Sequence, residues 1–414
     1  MRLLWAVAIS LCAAAQSDWT QFGGPSRNFM VDAPNLVEAF PAKGPAVLWQ
    51  RPLGEGYSGL AVSDGLVYTM FLRGMEDILT AIDARTGKAV WEHAISRETT
   101  SHTDFSEGRG PHSTPLVVGG RVFAINTAAR MVALDAKSGK LIWQHDFLKE
   151  YDGERLDRGY SASPLAWNDT VIAPVGGKAH SLVAFRQKDG SIAWQKGDFT
   201  VGFSSPTLIN MSGLTQLVLF FAEQVAAFNP DNGDPQWTVG HKTDWGLNIS
   251  VPVYGDDGIM VLTSAYSGGA RGVQLTRNGT QTRAKEIWTQ RKFRVHHGDA
   301  VRLGDYIYGS SGDFGPAPLT CLNVKDGSVV WQDRGLGKSS LLWTGKQMIL
   351  LSEDGELALA NISPQGLKIK SRASIFHSRA WTPPSLVNGV LYARDRSALT
   401  AVDLRAGTLR SVAH

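Results

Sequence analysis

The stretch ALDAKSGKLIW, residues 133–143, decides the fold of this chain. Two short apolar runs flank a polar turn that contains Gly139, and the stretch ends on Trp143. Polar residues followed by glycine allow a chain to reverse direction, because glycine adopts positive φ at no steric cost. The stretch therefore predicts a β-hairpin, and the number of times it occurs determines the architecture.

The same hairpin recurs along the whole chain. Further copies are AIDARTGKAVW (81–91), AFRQKDGSIAW (184–194), AFNPDNGDPQW (227–237), QLTRNGTQTRAKEIW (274–288), CLNVKDGSVVW (321–331), ALANISPQGLKI (358–369) and AVDLRAGTLR (401–410). The turn glycines of the eight copies are Gly87, Gly139, Gly190, Gly233, Gly279, Gly327, Gly366 and Gly407. Subtraction of neighbouring positions gives spacings of 39 to 52 residues, a period typical of propeller blades.

Each repeat also contains a second hairpin upstream of the first. STPLVVGGRVFAIN (113–126) places Gly-Gly between two β-rich runs, and PPSLVNGVLYAR (383–394) places Asn-Gly there. Both dipeptides are strong hairpin signals. Each unit therefore predicts four strands, and the chain predicts an all-β, eight-bladed propeller of four-stranded antiparallel blades. In five copies a tryptophan follows the glycine by four residues, and we expect it to pack between adjacent blades and to donate its N–H to a backbone carbonyl.

The two ends of the repeat region predict how the ring closes. Trp49, in PAVLWQRPLG (45–54), has no repeat before it, and the last repeat has no tryptophan. An open ring would leave unpaired sheet edges. We therefore expect residues 46–51 to form the outer strand of the eighth blade, with the C-terminal TLRSVAH as the alternative.

The N-terminus predicts an exported protein. MRLLWAVAISLCAAAQ has one positive charge, an apolar stretch and an A-x-A-like site that predicts cleavage after Ala15. Leu11 stands before Cys12 where a lipoprotein signal has a small residue, so no lipid anchor is expected. Only Cys321 remains in the mature chain, as a buried small hydrophobe. The predicted domains are a signal peptide (1–15), an N-terminal surface extension (16–44) and a single propeller domain (45–414).

Composition narrows the range of partners. The 414 residues include 41 Lys+Arg and 38 Asp+Glu, a formal net charge of +3. This balance argues against a nucleic-acid binder, which would carry a basic patch. After the signal peptide, no stretch of the sequence is long and apolar enough to span a membrane. We expect a monomeric propeller in the periplasm or the extracellular medium.

The segments that precede the innermost strands are the expected location of a site. In a propeller these segments gather around the central channel at one face. They place aromatic, imidazole, carboxylate and cationic groups together, which is a reasonable pattern for a binding site. The candidate residues are Tyr57, His112, Tyr160, Phe203, Asn248, His297, Asp299, Lys338, Arg379 and Trp381.

Metal and hydrolase motifs are not evident in the sequence. In RVHHGD (294–299) the adjacent His296 and His297 would point to opposite faces of a strand, so they are not expected to chelate one metal. NPDNGD (229–234) coincides with the repeat turn and lacks the distal glutamate of a calcium loop. The sequence contains no G-x-S-x-G, H-E-x-x-H or P-loop motif. We therefore predict no metal site and assign no catalytic residue.

The repeat pattern A-[LF]-[DN]-x-x-[TSN]-G-[KS]-x-x-W resembles that of the quinoprotein-like eight-bladed propellers. The resemblance covers residues 45–410, and DWTQFGGPSRN (18–28) is similar to the leader of many exported propeller proteins. The group includes alcohol dehydrogenases that depend on pyrroloquinoline quinone (PQQ). It also includes the propeller lipoprotein subunit of the outer-membrane β-barrel assembly machine, which binds no quinone. The motif is specific for the fold and says little about activity.

Two functions follow from this resemblance. The first is a non-catalytic binding or scaffolding module for protein partners at the cell envelope, without a cofactor. The second is a PQQ- and Ca²⁺-dependent alcohol or sugar dehydrogenase with its site at the channel mouth. The resemblance implies a Cys-Cys pair in such alcohol dehydrogenases, and this sequence has none. The first function is therefore the expected one.

Overall fold

The first seven repeats each form the outer hairpin of a four-stranded antiparallel sheet, and the eighth supplies the third strand of such a sheet. Eight of these sheets, here called blades 1 to 8, are present in the described residues. The computed structural model describes residues 18–97, 104, 106–313, 315 and 317–407. The predicted signal peptide lies outside the described residues, as does the C-terminal end from residue 408. The predicted all-β, eight-bladed propeller is confirmed. No helix of the described part is long and apolar enough to cross a membrane.

Strands are numbered in chain order, beginning with β1 (Ala46–Pro52). Blades 1 to 4 each use four consecutive strands, which run from the central channel outward. Blade 1 contains β2 (Ala61–Ser63), β3 (Leu66–Arg73), β4 (Glu76–Asp83) and β5 (Ala89–Ser96), and blade 2 contains β6 (Leu116–Val118), β7 (Arg121–Ile125), β8 (Arg130–Asp135) and β9 (Leu141–Asp146). Blade 3 contains β10 (Leu165–Trp167), β11 (Thr170–Pro174), β12 (Leu182–Arg186) and β13 (Ile192–Lys196), and blade 4 contains β14 (Thr207–Met211), β15 (Leu214–Phe220), β16 (Gln224–Phe228) and β17 (Pro235–Gly240).

Blades 5 to 7 follow the same order, and blade 8 takes its fourth strand from the N-terminus. Blade 5 contains β18 (Val253–Tyr254), β19 (Ile259–Ser264), β20 (Gly269–Asn278) and β21 (Gln281–Gln290), and blade 6 contains β22 (Val301–Leu303), β23 (Tyr306–Ser310), β24 (Leu319–Asn323) and β25 (Val329–Asp333). Blade 7 contains β26 (Ser339–Trp343), β27 (Met348–Ser352), β28 (Glu356–Ser363) and β29 (Gly366–Ser374), and blade 8 contains β30 (Ser385–Val387), β31 (Val390–Arg394) and β32 (Ala398–Asp403) together with β1. Two short helical turns are described, α1 (Phe147–Glu150) and a 3-10 turn (Asp244–Gly246).

The core lies between the blades. In the two middle strands of a blade nearly every residue is buried, because neighbouring blades cover both faces of the sheet. Outer strands such as β9 are largely exposed and bury little beyond their tryptophan. Cys321, in β24, is fully buried, and burial raises the pKa of its thiol to about 11. This agrees with its predicted role as a small hydrophobic residue.

Tryptophans of the outer strands connect most blades to the next, as predicted. The indole N–H of Trp91, in blade 1, donates to the carbonyl of Ala136 in the hairpin of blade 2 at 2.9 Å. Most other blade interfaces repeat this bond, with donor–acceptor distances of 2.7–3.2 Å. The further pairs are Trp49–Ala84, Trp143–Gln187, Trp194–Pro230, Trp288–Val324 and Trp331–Ser363.

The turn glycines make room for these indole rings. Gly139 has a φ of 68°, and a Cβ there would lie 2.6 Å from the ring of Trp91. Two interfaces depart from this pattern, because β29 in blade 7 contains no tryptophan and Trp237 in blade 4 does not bond to the hairpin of blade 5. Trp237 donates instead to the side chain of Gln216 at 2.7 Å. The outer hairpin of blade 5 has two ten-residue strands, so its turn at Gly279 lies beyond the reach of any neighbouring ring.

The N-terminal strand closes the ring, as predicted. β1 pairs antiparallel with β32, and Trp49 lies opposite Ala401. The indole of Trp49 then makes the same contact with blade 1 that the other tryptophans make with their neighbours. β1 therefore completes blade 8 by hydrogen bonding and joins it to blade 1 by packing.

Residues 18–33 cross the end of the channel at which the innermost strands finish. Trp19 bridges to Val62 in β2, and the amide of Val117 in β6 donates to the carbonyl of Thr20 at 2.8 Å. Further along, the amide of Val31 donates to the carbonyl of Trp343 in β26 at 2.9 Å. The segment thus contacts blades 1, 2 and 7 and lies across the opening between them.

We predict that Gly139→Ala destabilises the protein more than Gly279→Ala does. Both glycines have positive φ, 68° and 61°, so both substitutions carry the same backbone cost, about 1–2 kcal/mol. Only at Gly139 does the new methyl group collide with an indole, at 2.6 Å, which adds about 1–3 kcal/mol. Denaturant unfolding of both variants measures the difference. Equal losses would show that the tryptophan contact does not limit this turn.

Candidate binding site at the channel mouth

Side chains from the segments before the innermost strands form two tiers around the channel. Within a segment, the outer-tier and inner-tier residues are two positions apart, as in Tyr57 and Gly59. Both face the channel, because every second residue of an extended chain faces the same side. The outer tier consists of Tyr57, His112, Ser161, Phe203, Ile249, His297 and Trp381, and the inner tier of Gly59, Thr114, Ser163, Ser205, Asp299 and Pro383. Together they line a cavity of about 550 Å³, a size typical of small-molecule sites.

Eight of the ten predicted site residues line this cavity. They are Tyr57, His112, Phe203, His297, Asp299, Lys338, Arg379 and Trp381. Tyr160 does not line it, since its ring is buried against Phe147 and its hydroxyl donates to the carbonyl of Val175. Asn248 does not line it either, because its amide group donates to backbone carbonyls, including that of Phe221. Both residues have structural roles.

Aromatic rings that contact one another at tilted angles of 34–38° form an arc along one side of the cavity. The ring centroids of Tyr57 and Trp381 are 5.1 Å apart, and those of Trp381 and His297 are 4.2 Å apart. His296 continues the arc, with its ring centroid 3.9 Å from that of His297. His296 and His297 were expected on opposite faces of a strand. They lie outside any strand, where the strand rule does not apply, and their rings contact each other at an interplanar angle of 36°.

Loops between second and third strands also reach the mouth and supply residues that the sequence interpretation missed. Tyr266 follows β19 and hydrogen-bonds to Nε2 of His296 at 2.5 Å. Glu353 follows β27 and accepts hydrogen bonds from Trp381 Nε1 at 2.9 Å and from Arg379 at 3.0 Å. These loops end at the same face as the predicted segments, because strands alternate in direction. That alternation is the signal by which they could have been found.

The cations of the cavity wall are already partnered. Arg379 forms an ion pair with Glu353, and Arg158 forms one with Asp104 at 3.5 Å. Lys338 donates to the backbone carbonyl of Asp313 at 3.0 Å. Both arginines are therefore paired with carboxylates, whereas the ammonium group of Lys338 is bonded to a neutral carbonyl.

Burial keeps the cavity histidines neutral. It lowers the pKa of His112 to about 4 and that of His296 to about 3, and the nearby charges of Arg97 and Lys338 add to the effect. The pKa of His297 is also well below its ordinary value, for the same reason. At neutral pH these rings act as hydrogen-bonding and stacking groups. No group of three His, Cys, Asp or Glu side chains that could hold a metal occurs in the described part of the chain.

The N-terminal segment forms the floor of the cavity. Phe22 lines the cavity from this side. Arg27 is buried and donates to the carbonyl of Pro164, which directly follows inner-tier Ser163, at 3.1 Å. Asp299 lies near this cation, in the inner tier, with its Oδ1 accepting from the amide of Val251 at 3.1 Å. Burial raises the pKa of Asp299 to about 7. The hydrogen bond from Val251 and the positive charge of Arg27 lower the pKa, but they offset only part of the effect of burial.

The structure defines a propeller with a pocket in its channel, open at the mouth and closed by the N-terminal segment. A family model described as outer membrane protein assembly factor BamB matches residues 33–150 and 75–333. These matches cover more than half of the chain, which therefore belongs to this family of PQQ-like repeat propellers.

Individual relatives come from both branches of the group. The chain is 25% identical over 305 residues to the outer membrane protein assembly factor BamB of Yersinia pestis, with 69% of this chain and 72% of that protein covered. It is also 25% identical to the Burkholderia pseudomallei BamB, with coverages of 77% and 89%. A quinone-type alcohol dehydrogenase subunit of Gluconobacter oxydans is 35% identical over 97 residues, which span only 12% of that protein.

Solved structures share the fold. BamB of Moraxella catarrhalis aligns with a TM-score of 0.59 and 16% identity, covering 89% of this chain and 99% of that one. A europium-containing methanol dehydrogenase aligns with a TM-score of 0.68 and 12% identity, covering 93% and 89%. At these identities the likeness concerns the fold alone.

We predict that Asp299→Asn removes part of the pH dependence of stability. The folded pKa of Asp299, about 7, lies above its ordinary value of 3.8, so folding favours the protonated acid. The free energy of unfolding should therefore fall as pH rises from about 4 to about 7, by about 4 kcal/mol from this group alone.

The measurement is denaturant unfolding of both proteins between pH 4 and pH 8. Contributions from the cavity histidines are common to both proteins and cancel in the difference. The variant should gain stability relative to the parent as pH rises. Parallel pH profiles would contradict the raised pKa.

Proposed function

We propose that this chain is an exported, non-catalytic propeller that binds a protein partner through the mouth face of its ring. Membership of the family supports a binding role, because its model is described as an outer membrane protein assembly factor. The observation that carries the proposal is the exposed indole of Trp245 at the rim of the mouth, where it contacts the cavity residue Tyr266.

Trp245 is held in a conformation that its own residue type disfavours. Its φ is 65° and its side chain is 73% exposed. A bulky residue at positive φ is a genuine outlier, and such strain is concentrated at functional sites. The turn is fixed by a 2.8 Å bond from the Asp244 amide to the carbonyl of Tyr266. The fold therefore holds a large apolar ring toward solvent.

This arrangement suits a protein interface. Tryptophan is enriched among the residues that contribute most to protein binding, and a rim of polar groups commonly surrounds them. Met75, in the turn between β3 and β4, is also 73% exposed and lies at the same face. A partner that covers the mouth would bury both side chains.

The proposal includes the route of export and the domain organisation of the chain. The chain would reach the periplasm or the extracellular medium through a signal peptide at residues 1–15, without a lipid anchor. Residues 16–44 would serve as a surface extension, and residues 45–414 as one monomeric propeller domain.

We predict that a photocrosslinking amino acid at Trp245 or Met75 captures the same envelope protein. The same amino acid at Lys137, in the exposed turn at the opposite end of blade 2, is the matched control. Mouth positions should crosslink the partner and position 137 should not. Equal crosslinking from both ends, or different proteins from the two mouth positions, would contradict a docking face at the mouth.

A PQQ-dependent dehydrogenase is the second candidate, favoured by the 35% identity to the Gluconobacter oxydans subunit. PQQ carries three carboxylates and acts with Ca²⁺, which needs several converging oxygens. The described residues do not fit this group. They include no cluster of three potential metal ligands, and Arg379 and Arg158 are already paired with carboxylates.

Titration of the purified protein with PQQ and Ca²⁺ separates the two candidates. We expect no saturable binding at micromolar quinone and no dye-linked oxidation of alcohols or sugars. Saturable binding with dye reduction would overturn the non-catalytic proposal. Calorimetry is the suitable readout, because the 13 tryptophans of the chain complicate fluorescence.

A further inference from the structure

The interface between blades 7 and 8 has no tryptophan, and a serine stands at the position where the other blades carry one. In blade 1, Trp91 directly follows the bulge of the outer strand and lies opposite Ala81. Ser371 holds the same position in β29, opposite Leu359. Its Oγ accepts a hydrogen bond from the amide of Phe40 at 2.8 Å. The N-terminal segment therefore bonds to blade 7 where an indole would otherwise begin.

The acceptor that an indole would use in blade 8 is also bonded to this segment. At the interface between blades 1 and 2, Trp91 donates to the carbonyl of Ala136, the residue that follows β8. Leu404 follows β32 and is the equivalent residue of blade 8. Its carbonyl accepts from the amide of Val37 at 2.7 Å. Residues 37–40 thus bond to both positions that a tryptophan connects elsewhere in the ring.

Further main-chain bonds hold residues 31–40, here called the latch, to the same two blades. The amide of Ala33 donates to the carbonyl of Thr344, just after β26, at 3.0 Å. The amide of Ala406, beyond β32, donates to the carbonyl of Asn35 at 2.9 Å. The latch therefore bridges the innermost strand of blade 7 and the third strand of blade 8.

The latch replaces the bonds of an indole but not its packing. Its only buried side chains are Ala33 and Leu36. A Cβ on Gly407, the turn glycine of blade 8, would meet no described atom within 4 Å, whereas one on Gly139 would meet the ring of Trp91. Segments with few buried apolar contacts open locally at a lower free energy than the core does. This interface is therefore the weakest joint of the ring.

The other unusual interface, between blades 4 and 5, is held by the blades themselves. Trp237 is still buried there, although its indole bonds within blade 4. The side chain of Gln216 donates to Thr282 of blade 5 at 2.6 Å, and Arg277 of blade 5 donates to the carbonyl of Ser212 at 2.6 Å. The interface between blades 7 and 8 differs, because a segment outside the blades takes the place of the tryptophan.

The latch is continuous with the floor of the channel. Phe22 and Arg27, which belong to the floor, lie shortly before residue 31 in the same segment. The carbonyl of Phe29, between floor and latch, accepts from the amide of Trp343 in blade 7 at 2.9 Å. Because floor and latch share this attachment to blade 7, release of the latch loosens the floor as well.

We propose that residues 31–40 are a releasable latch, which joins blades 7 and 8 in place of a tryptophan and opens this interface and the channel floor when it detaches. The ring then has a built-in joint, at which it opens before the interfaces that tryptophans hold. This conformational device lies at the end of the ring opposite the mouth. It goes beyond the proposed protein binding and does not depend on it.

The test is thiol labelling of the folded protein. Val402→Cys places a thiol in β32 at the position that Leu134 occupies in β8, directly after the register shift, and both residues are fully buried. Leu134→Cys is the matched control, because Leu134 packs at the interface that Trp91 holds. Peptide mass spectrometry distinguishes each thiol from Cys321. We expect Val402→Cys to react faster by about tenfold, and equal rates would overturn the proposal.

Variants of the latch separate a local joint from general instability. Val37→Pro removes the latch amide that bonds to blade 8, so it should speed the labelling of Val402→Cys by about tenfold and leave that of Leu134→Cys unchanged. Ser371→Ala, which removes the acceptor at the other end of the latch, should act in the same direction to a smaller extent. Glu38→Gln removes only an exposed ion pair of the latch and should change neither rate. Equal acceleration at both thiols, or none at either, would refute the latch.

Hydrogen exchange tests the link to the floor. In Val37→Pro, peptides from residues 19–30 should exchange faster than in the parent protein, whereas those from β11 and β12 should not change. Unchanged exchange at residues 19–30 would refute the coupling between latch and floor. Crosslinking from Trp245 reports on the mouth alone, so failure of the latch and failure of the docking face are distinguishable.

Discussion

The bond between an outer-strand tryptophan and the hairpin of the next blade is the contact on which the ring depends. Middle strands such as β3 and β4 are buried on both faces only while both neighbouring blades are in place. The indole of Trp91 holds blades 1 and 2 together through two contacts, its N–H bond to the carbonyl of Ala136 and its packing on Gly139. One glycine thus serves as a turn residue for its own blade and as a docking surface for the preceding one.

Because this contact recurs at a fixed period, the sequence alone was sufficient to predict eight blades and the closing strand. Details that depend on side chains could not be predicted. The first strand of blade 1, β2, is limited to three residues, Ala61–Ser63, and Ser58 lies just before it. The hydroxyl of Ser58 donates to the carbonyl of Ser113 and accepts from the amide of Met70. A side chain thus takes the place of ladder bonds, which no propensity pattern indicates.

The candidate site was predictable to the extent that the segments before the innermost strands define it. Their position in the repeat placed Asp299 and Trp381 at the channel. Tyr160 and Asn248 lie in equivalent segments, but local backbone bonds turn their side chains away. Phe22 and Arg27 were missed because the segment that carries them lies outside the repeat. Periodicity gives no information about where such a segment packs.

The pairing of β1 with β32 has a consequence for how the protein is made. The two strands come from opposite ends of the chain, so forming this pair encloses nearly the whole sequence in one loop. Such non-local pairing is slow to form. A nascent or translocating chain therefore cannot complete the ring until its last blade has emerged. A fragment that ends before β32 keeps two open sheet edges, and it is exposed to aggregation and proteolysis until it is removed.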